Sequence, residues 1–208
     1  MKSVDTIYNN SGDFKSFATG YLDHLNELLS TLDLEKLDQF CQQLESLRDR
    51  GDKMILCGNG GSASTAGHFV NDFSIGTRSI EKSFNLMSLT DNTAVITAIG
   101  NDFGYDQIFK KQLETYLKSG DIIVVISASG NSENLIKAVD YAKSKGSFTI
   151  GLLGFDGGKL KDMVDLDIMV TSAKGDYGPV EDAHLVINHL MMNYFLRKSR
   201  NKNRANAD

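Results

Sequence analysis

Four side chains capable of proton transfer or metal binding sit on two stretches of helical pattern. His68 and Asp72 are four residues apart and so share a helix face. Glu181 and His189 are eight apart, two turns on and roughly 80° around a helix at about 100° per residue, so they can converge on one site. Together they offer two imidazoles and two carboxylates, a donor set suited to zinc or another divalent first-row ion. Spacing alone favours a plainer account of either helix, a solvated face with partly buried histidines. His24 reads as structural or exposed, and His184 as packing near or orienting the others.

Two small-residue turns stand in front of this chemistry. Gly58-Asn59-Gly60-Gly61-Ser62 follows the apolar run Met54-Ile55-Leu56-Cys57 and opens the stretch carrying His68. A strand that feeds a helix N-terminus through a glycine turn aims several N–H groups and the positive end of the helix dipole at one spot, which suits phosphate. Ile126-Ser127-Ala128-Ser129-Gly130-Asn131-Ser132 is a second turn of this kind, with three hydroxyls to donate and Ser132 or Asn131 placed to cap the next helix. Taken singly it reads equally as an ordinary serine-rich turn; two such turns in one sheet favour a ligand. The first turn also satisfies G-x-G-x-x-A, a dinucleotide fingerprint. That fingerprint needs an acid at the end of the second strand, whereas Glu81 precedes the expected strand and Asp91 lies beyond it.

The elements that must position these residues follow from periodicity. Short apolar runs at 53–57, 84–89, 121–126, 148–153 and 167–171 read as strands. Helical stretches fall between and after them at 62–74, 92–100, 104–118, 132–145, 157–163 and 180–198. Such alternation implies a parallel sheet covered on both faces, with ligands at the carboxyl ends of the strands. Before the sheet, Phe14, Phe17, Tyr21, Leu25, Leu28 and Leu29, then Leu34, Leu37, Phe40, Cys41, Leu44 and Leu47, mark two amphipathic helices, the second ended by Gly51. A helical preface of about 50 residues must pack on the sheet or on another subunit, and oligomer formation is expected.

The 208 residues, 41% hydrophobic and 24% charged, allow one domain with a substantial core. A net charge of −5 argues against a general nucleic-acid or anionic-membrane binder. Cys41 and Cys57 fit buried thiols in a reducing compartment better than a disulfide framework. No signal-like or membrane-spanning apolar run occurs, so a soluble cytoplasmic chain is expected. The basic, polar end over 199–208 reads as disordered.

Five motifs in order carry a family resemblance: Gly58-Asn59-Gly60-Gly61-Ser62-Ala63 with His68; Gly100-Asn101-Asp102-Phe103-Gly104; Ser127 to Ser132; Asp156-Gly157-Gly158-Lys159; and Glu181-Asp182-Ala183-His184 with His189. From about residue 14 to residue 198 the chain resembles the sedoheptulose 7-phosphate isomerases, which are sugar isomerase (SIS) domain proteins. The resemblance implies a single SIS domain over 1–208. Its fold would be a flavodoxin-like α/β/α sandwich with a five-stranded parallel sheet behind N-terminal helices. It also implies a homotetramer with active sites at subunit interfaces, a phosphorylated sugar substrate, and conversion of sedoheptulose 7-phosphate to D-glycero-D-manno-heptose 7-phosphate.

By position, Ser127, Ser129 and Ser132 resemble phosphate-binding hydroxyls, with Ala128 where a threonine often sits, and Asn59, Gly60, Gly61, Ser62, Asn101 and Asp102 look like further substrate contacts. His68, Asp72, Glu181 and His189 fall on metal-site positions, Asp72 and His189 on catalytic ones, and Asp72 and Glu181 also on substrate-contact ones. Three further positions depart from the family pattern: Asp72 for the usual Glu, Glu181 for the usual Gln, and Gly178 near a frequent Asp. A non-catalytic SIS scaffold, such as one that binds a replication initiator, and a sugar-phosphate sensor are the alternatives. Asp72 and His189 weigh against the scaffold, whose members lose both groups.

Overall fold

The apolar runs become five parallel strands in one sheet, in a computed structural model that describes residues 2–77 and 82–205. They are β1 (Met54–Gly58), β2 (Leu86–Ser88), β3 (Ile122–Ser127), β4 (Phe148–Gly154) and β5 (Leu166–Val170), in the order β2-β1-β3-β4-β5. That is the flavodoxin-like order, and its direction reverses between β1 and β3. Their register sets Gly58 beside Ile126, so the turns that follow these two strands leave the sheet side by side. The expected strands are all present, with ends displaced by a residue or two.

Strand side chains alternate between two cores, as a pleated strand requires. Met54, Leu56, Val124, Ile126, Ile150 and Leu152 face one cluster, completed by Phe40, Leu44, Phe69, Phe73, Ile187 and Phe195 from helices. Ile55, Cys57, Ile123, Val125 and Leu153 face the other, against Phe109, Leu113, Leu135, Val139 and Leu160. The strands are therefore apolar on both faces and the fold is a three-layer α/β/α sandwich.

On the first face lie α2 (Phe14–Ser30) and α3 (Leu34–Arg50), the two helices read from the N-terminal periodicity. Asp13 and Ser16 form a capping box on α2, Asp33 caps α3, and Gly51 closes α3 at φ 80°, a conformation that glycine adopts without a Cβ penalty. A short helix ahead of them, α1 (Val4–Asn9), was not expected. The stretch 62–74 is not one α-helix: α4 (Gly61–Val70) passes into a π-helical turn, Asn71–Gly76. Residues 104–118 also divide, into a 3₁₀ turn at Tyr105–Gln107 and α6 (Ile108–Tyr116), after α5 (Thr93–Phe103). Next come α7 (Glu133–Ser144), α8 (Gly158–Met163) and α9 (Tyr177–Ala205). Because α9 continues to Ala205, the end expected as disordered is helical over 199–205, and 206–208 lie outside the described residues. No helix among the described residues is long and apolar enough to cross a membrane.

Candidate functional site

The glycine turn after β1 and the serine turn after β3 meet at the reversal of strand order. The N-cap of α4 is Gly60, that of α7 is Ser132, and neither helix has a side-chain capping bond. By contrast α1, α2, α3 and α5 are capped by Ser3, Asp13, Asp33 and Asn92. Ser132 thus holds the capping position without the capping bond expected of it. Between the turns is a cavity of about 160 Å³ lined by Asn59, Ser62, Ser127, Ala128, Ser129 and Ser132, and by Tyr177 and Glu181 from the start of α9. The Ser127 hydroxyl oxygen accepts from the Gly130 N–H at 3.0 Å, and that of Ser129 accepts from the Asn131 N–H at 3.4 Å. Each hydroxyl proton stays available to an anion. A larger cavity, about 600 Å³, opens between α1 and α2 beside Tyr8, Phe14 and Phe17, and holds none of the expected site residues.

Two helical turns into α4, a second centre forms. Nε2 of His68 and Nε2 of His189 are 3.0 Å apart, and Oδ2 of Asp72 stands 3.2 Å from the first and 3.6 Å from the second. All three donor atoms lie within 4.8 Å of one another. Asp72 is the first acid of the π turn and is 8% exposed. Its Oδ2 accepts from the Asn188 side-chain amide at 2.7 Å and its Oδ1 from that of Asn71 at 3.2 Å. The spacing of the two imidazole nitrogens approaches the roughly 3.3 Å expected of two ligands on a tetrahedral zinc. Two imidazoles, one carboxylate and a buried amide steadying that carboxylate fit a divalent ion.

Glu181, expected as a fourth ligand, does not stand with this group. Eight helical residues rise about 12 Å, so agreement in azimuth does not bring residues 181 and 189 together. Glu181 lies instead against the glycine turn, where a Cβ on Gly61 would come within 2.1 Å of its Oε2. Partial burial, with Asp182 beside it, raises the Glu181 pKa above the ordinary carboxylate range. Tyr21 of α2 donates to Oδ2 of Asp182 at 2.6 Å, and a Cβ on Gly178 would meet that tyrosine oxygen at 3.0 Å.

Asn101 and Asp102 are exposed at the end of α5, hydrogen-bonded to each other at 2.8 Å, and do not line the cavity. His24 is structural: it is buried, with Nε2 3.1 Å from Oδ2 of Asp176. His184 is fully buried, and burial lowers its pKa to about 4. Of the two acids weighed for a ribose, Asp91 follows β2 in a turn, and Glu81 lies outside the described residues. Asn188, Asn134 and Tyr105 have roles that periodicity does not reveal, although Asn188 and Asn134 are polar residues on otherwise apolar helix faces.

The SIS domain family matches residues 20–154. A phosphoheptose isomerase of Geobacter sulfurreducens is 40% identical over 169 residues, 79% of this chain and 88% of that one. Another from Clostridium acetobutylicum is 41% identical over 160 residues, covering 74% of this chain and 81% of its own. In three dimensions the chain superposes on the phosphoheptose isomerase of Neisseria gonorrhoeae with a TM-score of 0.79 at 29% identity, over 88% of this chain and 98% of that one.

Proposed function

We infer from this likeness that the chain, which belongs to the phosphoheptose isomerase family of SIS domain proteins, is an aldose-ketose isomerase that converts sedoheptulose 7-phosphate to D-glycero-D-manno-heptose 7-phosphate. The observation that carries the reading is the convergence of His68, Asp72 and His189 beside a cavity lined by serine hydroxyls at the strand ends.

Isomerisation needs a base to take a proton alpha to a carbonyl, an acid to protonate the oxygen of the enediol, and stabilisation of developing negative charge. Asp72, steadied by Asn188, is placed to take the proton from C1 of the ketose. His189 gives a proton to the C2 oxygen, and an enediol forms. Proton return to C2 and removal of the C1 hydroxyl proton complete the aldose. Ser127, Ser129 and Ser132, with the backbone of Gly60, Gly61 and Ser62, hold the phosphate. We assign His68, Asp72 and His189 as ligands of zinc or another divalent ion, which when bound supplies polarisation of the carbonyl.

The finer reading places the enzyme in a homotetramer in the cytoplasm. Asn101 and Asp102, exposed and away from their own cavity, would then serve a site completed across a subunit interface. Free Cys41 and Cys57 accord with a reducing compartment.

The test offers purified protein sedoheptulose 7-phosphate and follows aldose formation. Asp72→Asn and His189→Gln are each expected to lower kcat by about 10² or more, with the fold retained. Full activity in either variant would remove that residue from its role. Chelator-stripped protein is expected to lose turnover and to regain it with zinc; equal rates with and without metal would remove the ion from the reading.

A further inference from the structure

Asn59 heads the glycine turn and was expected to contact substrate, yet its amide is already engaged. Its Nδ2 donates to Oδ1 of Asn134 at 2.9 Å, and its Oδ1 accepts from Nδ2 of Asn134 at 2.9 Å. The hydroxyl of Tyr105 donates to the same Oδ1 at 2.9 Å. An amide oxygen has two lone pairs, so the side-chain oxygen of Asn59 has none left for a sugar hydroxyl, while one Nδ2 hydrogen stays free. Asn134 is 3% exposed and lies in the first turn of α7, two residues after Ser132. Tyr105 follows Asn101 and Asp102 by a few residues, and one turn beyond Asn134 the Lys137 ammonium pairs with Asp106. The first turns of α7 thereby grip the glycine turn on one side and the 101–106 segment on the other, while the N-terminus of α7 is itself the end of the serine turn.

We propose that Asn134 and Tyr105 are positioning residues for the phosphosugar site, and that the Asn59 side-chain oxygen serves this clamp instead of the substrate. The reciprocal amide pair fixes the orientation of both side chains, because breaking it strands a polar group in a nearly dry place. The two turns that line the cavity and the 101–106 segment beside them are thereby held together. This rests on the isomerase reading above for its substrate and not for its geometry.

The experiment measures steady-state kinetics with sedoheptulose 7-phosphate, and binding of inorganic phosphate alone, in the full chain and in Tyr105→Phe, Asn134→Ala and the double variant. Tyr105→Phe removes one hydroxyl from an exposed residue and leaves the fold intact. It is expected to raise KM and the phosphate dissociation constant about threefold with kcat within about twofold, and Asn134→Ala to raise both about tenfold. The double variant should be less impaired than the product of the two, since both act through Asn59. Unchanged KM and phosphate binding in folded variants, or full multiplicativity, would overturn the clamp. Should Asn134→Ala not fold, Tyr105→Phe alone decides. Should the parent protein fail to turn the sugar over, the isomerase reading falls, and the phosphate arm still decides the clamp by the same threefold or null result.

Discussion

Glu181 and Asp72 are both acids where the family pattern has a different residue, and the structure gives them unlike surroundings. Asp72 reaches about one carbon–carbon bond, roughly 1.5 Å, less far than a Glu would. The π turn sets its Oδ2 within 3.2 Å of His68 all the same, so the shorter acid still reaches the imidazoles. π turns recur at functional sites because they re-aim a side chain without ending the helix. Glu181 instead faces the serine cavity, where it places negative charge near the phosphate that the cavity is assigned to hold. Glu181→Gln is therefore expected to lower KM for the phosphosugar about threefold through relief of repulsion. Its zinc affinity, read by competition with a chromogenic chelator, should stay within about twofold, because Glu181 lies apart from the proposed ligands His68, Asp72 and His189. A tenfold loss of zinc affinity would return Glu181 to the metal.

The serine turn owes its shape to a neighbouring element. Gly130 has φ +62°, and a Cβ there would come within 1.8 Å of the Gly157 carbonyl oxygen. Across the same contact the Leu160 N–H donates to the Gly130 carbonyl at 3.0 Å, and the Lys159 N–H to the Asn131 side chain at 3.1 Å. The Asp156-Gly157-Gly158-Lys159 motif is thus a buttress that sets the three serines. Gly130→Ala is expected to destabilise the fold by about 2 kcal/mol or more and to raise KM by at least tenfold, checked by urea unfolding and kinetics. An Ala variant with parental stability and KM would mean that the turn does not depend on this contact. The two turns, their flanking strands and the helices that follow were legible because apolar period and glycine placement are local signals. The π turn was not, since the hydrogen-bond register of a helix has no residue-type signature. Nor was the separation of Glu181 from His189, for helical azimuth says nothing of rise. The Asn59–Asn134–Tyr105 contacts join residues 75 and 46 apart in sequence, beyond the reach of any periodicity.

At the scale of the whole molecule, α9 ties assembly, site and stability together. Its outer face carries Val186, Leu190 and Tyr194 at 37, 55 and 50% exposure, one stripe at i, i+4 and i+8 beside His189. If that stripe is a subunit contact, as the homotetramer reading requires, Leu190→Glu should shift the mass found by light scattering towards monomer or dimer; an unchanged tetramer would place the contact elsewhere. The inner face of the same helix holds His184, fully buried. Its ring lies beside the Leu153 backbone, whose hydrogen bond only partly offsets the burial. Burial lowers its pKa to about 4, whereas an unfolded histidine titrates near 6.5. Between those values the unfolded chain binds a proton that the folded chain refuses, so folding stability is greatest above about pH 6.5 and falls as the pH drops towards 4. The full window amounts to about 3 kcal/mol, a sizeable share of a domain's stability. His184→Leu, similar in volume and unable to titrate, should lose less stability than the parent between pH 7 and pH 5 when both are unfolded in urea. Parallel stability curves for the two proteins over that range would show that His184 does not set the acid limit.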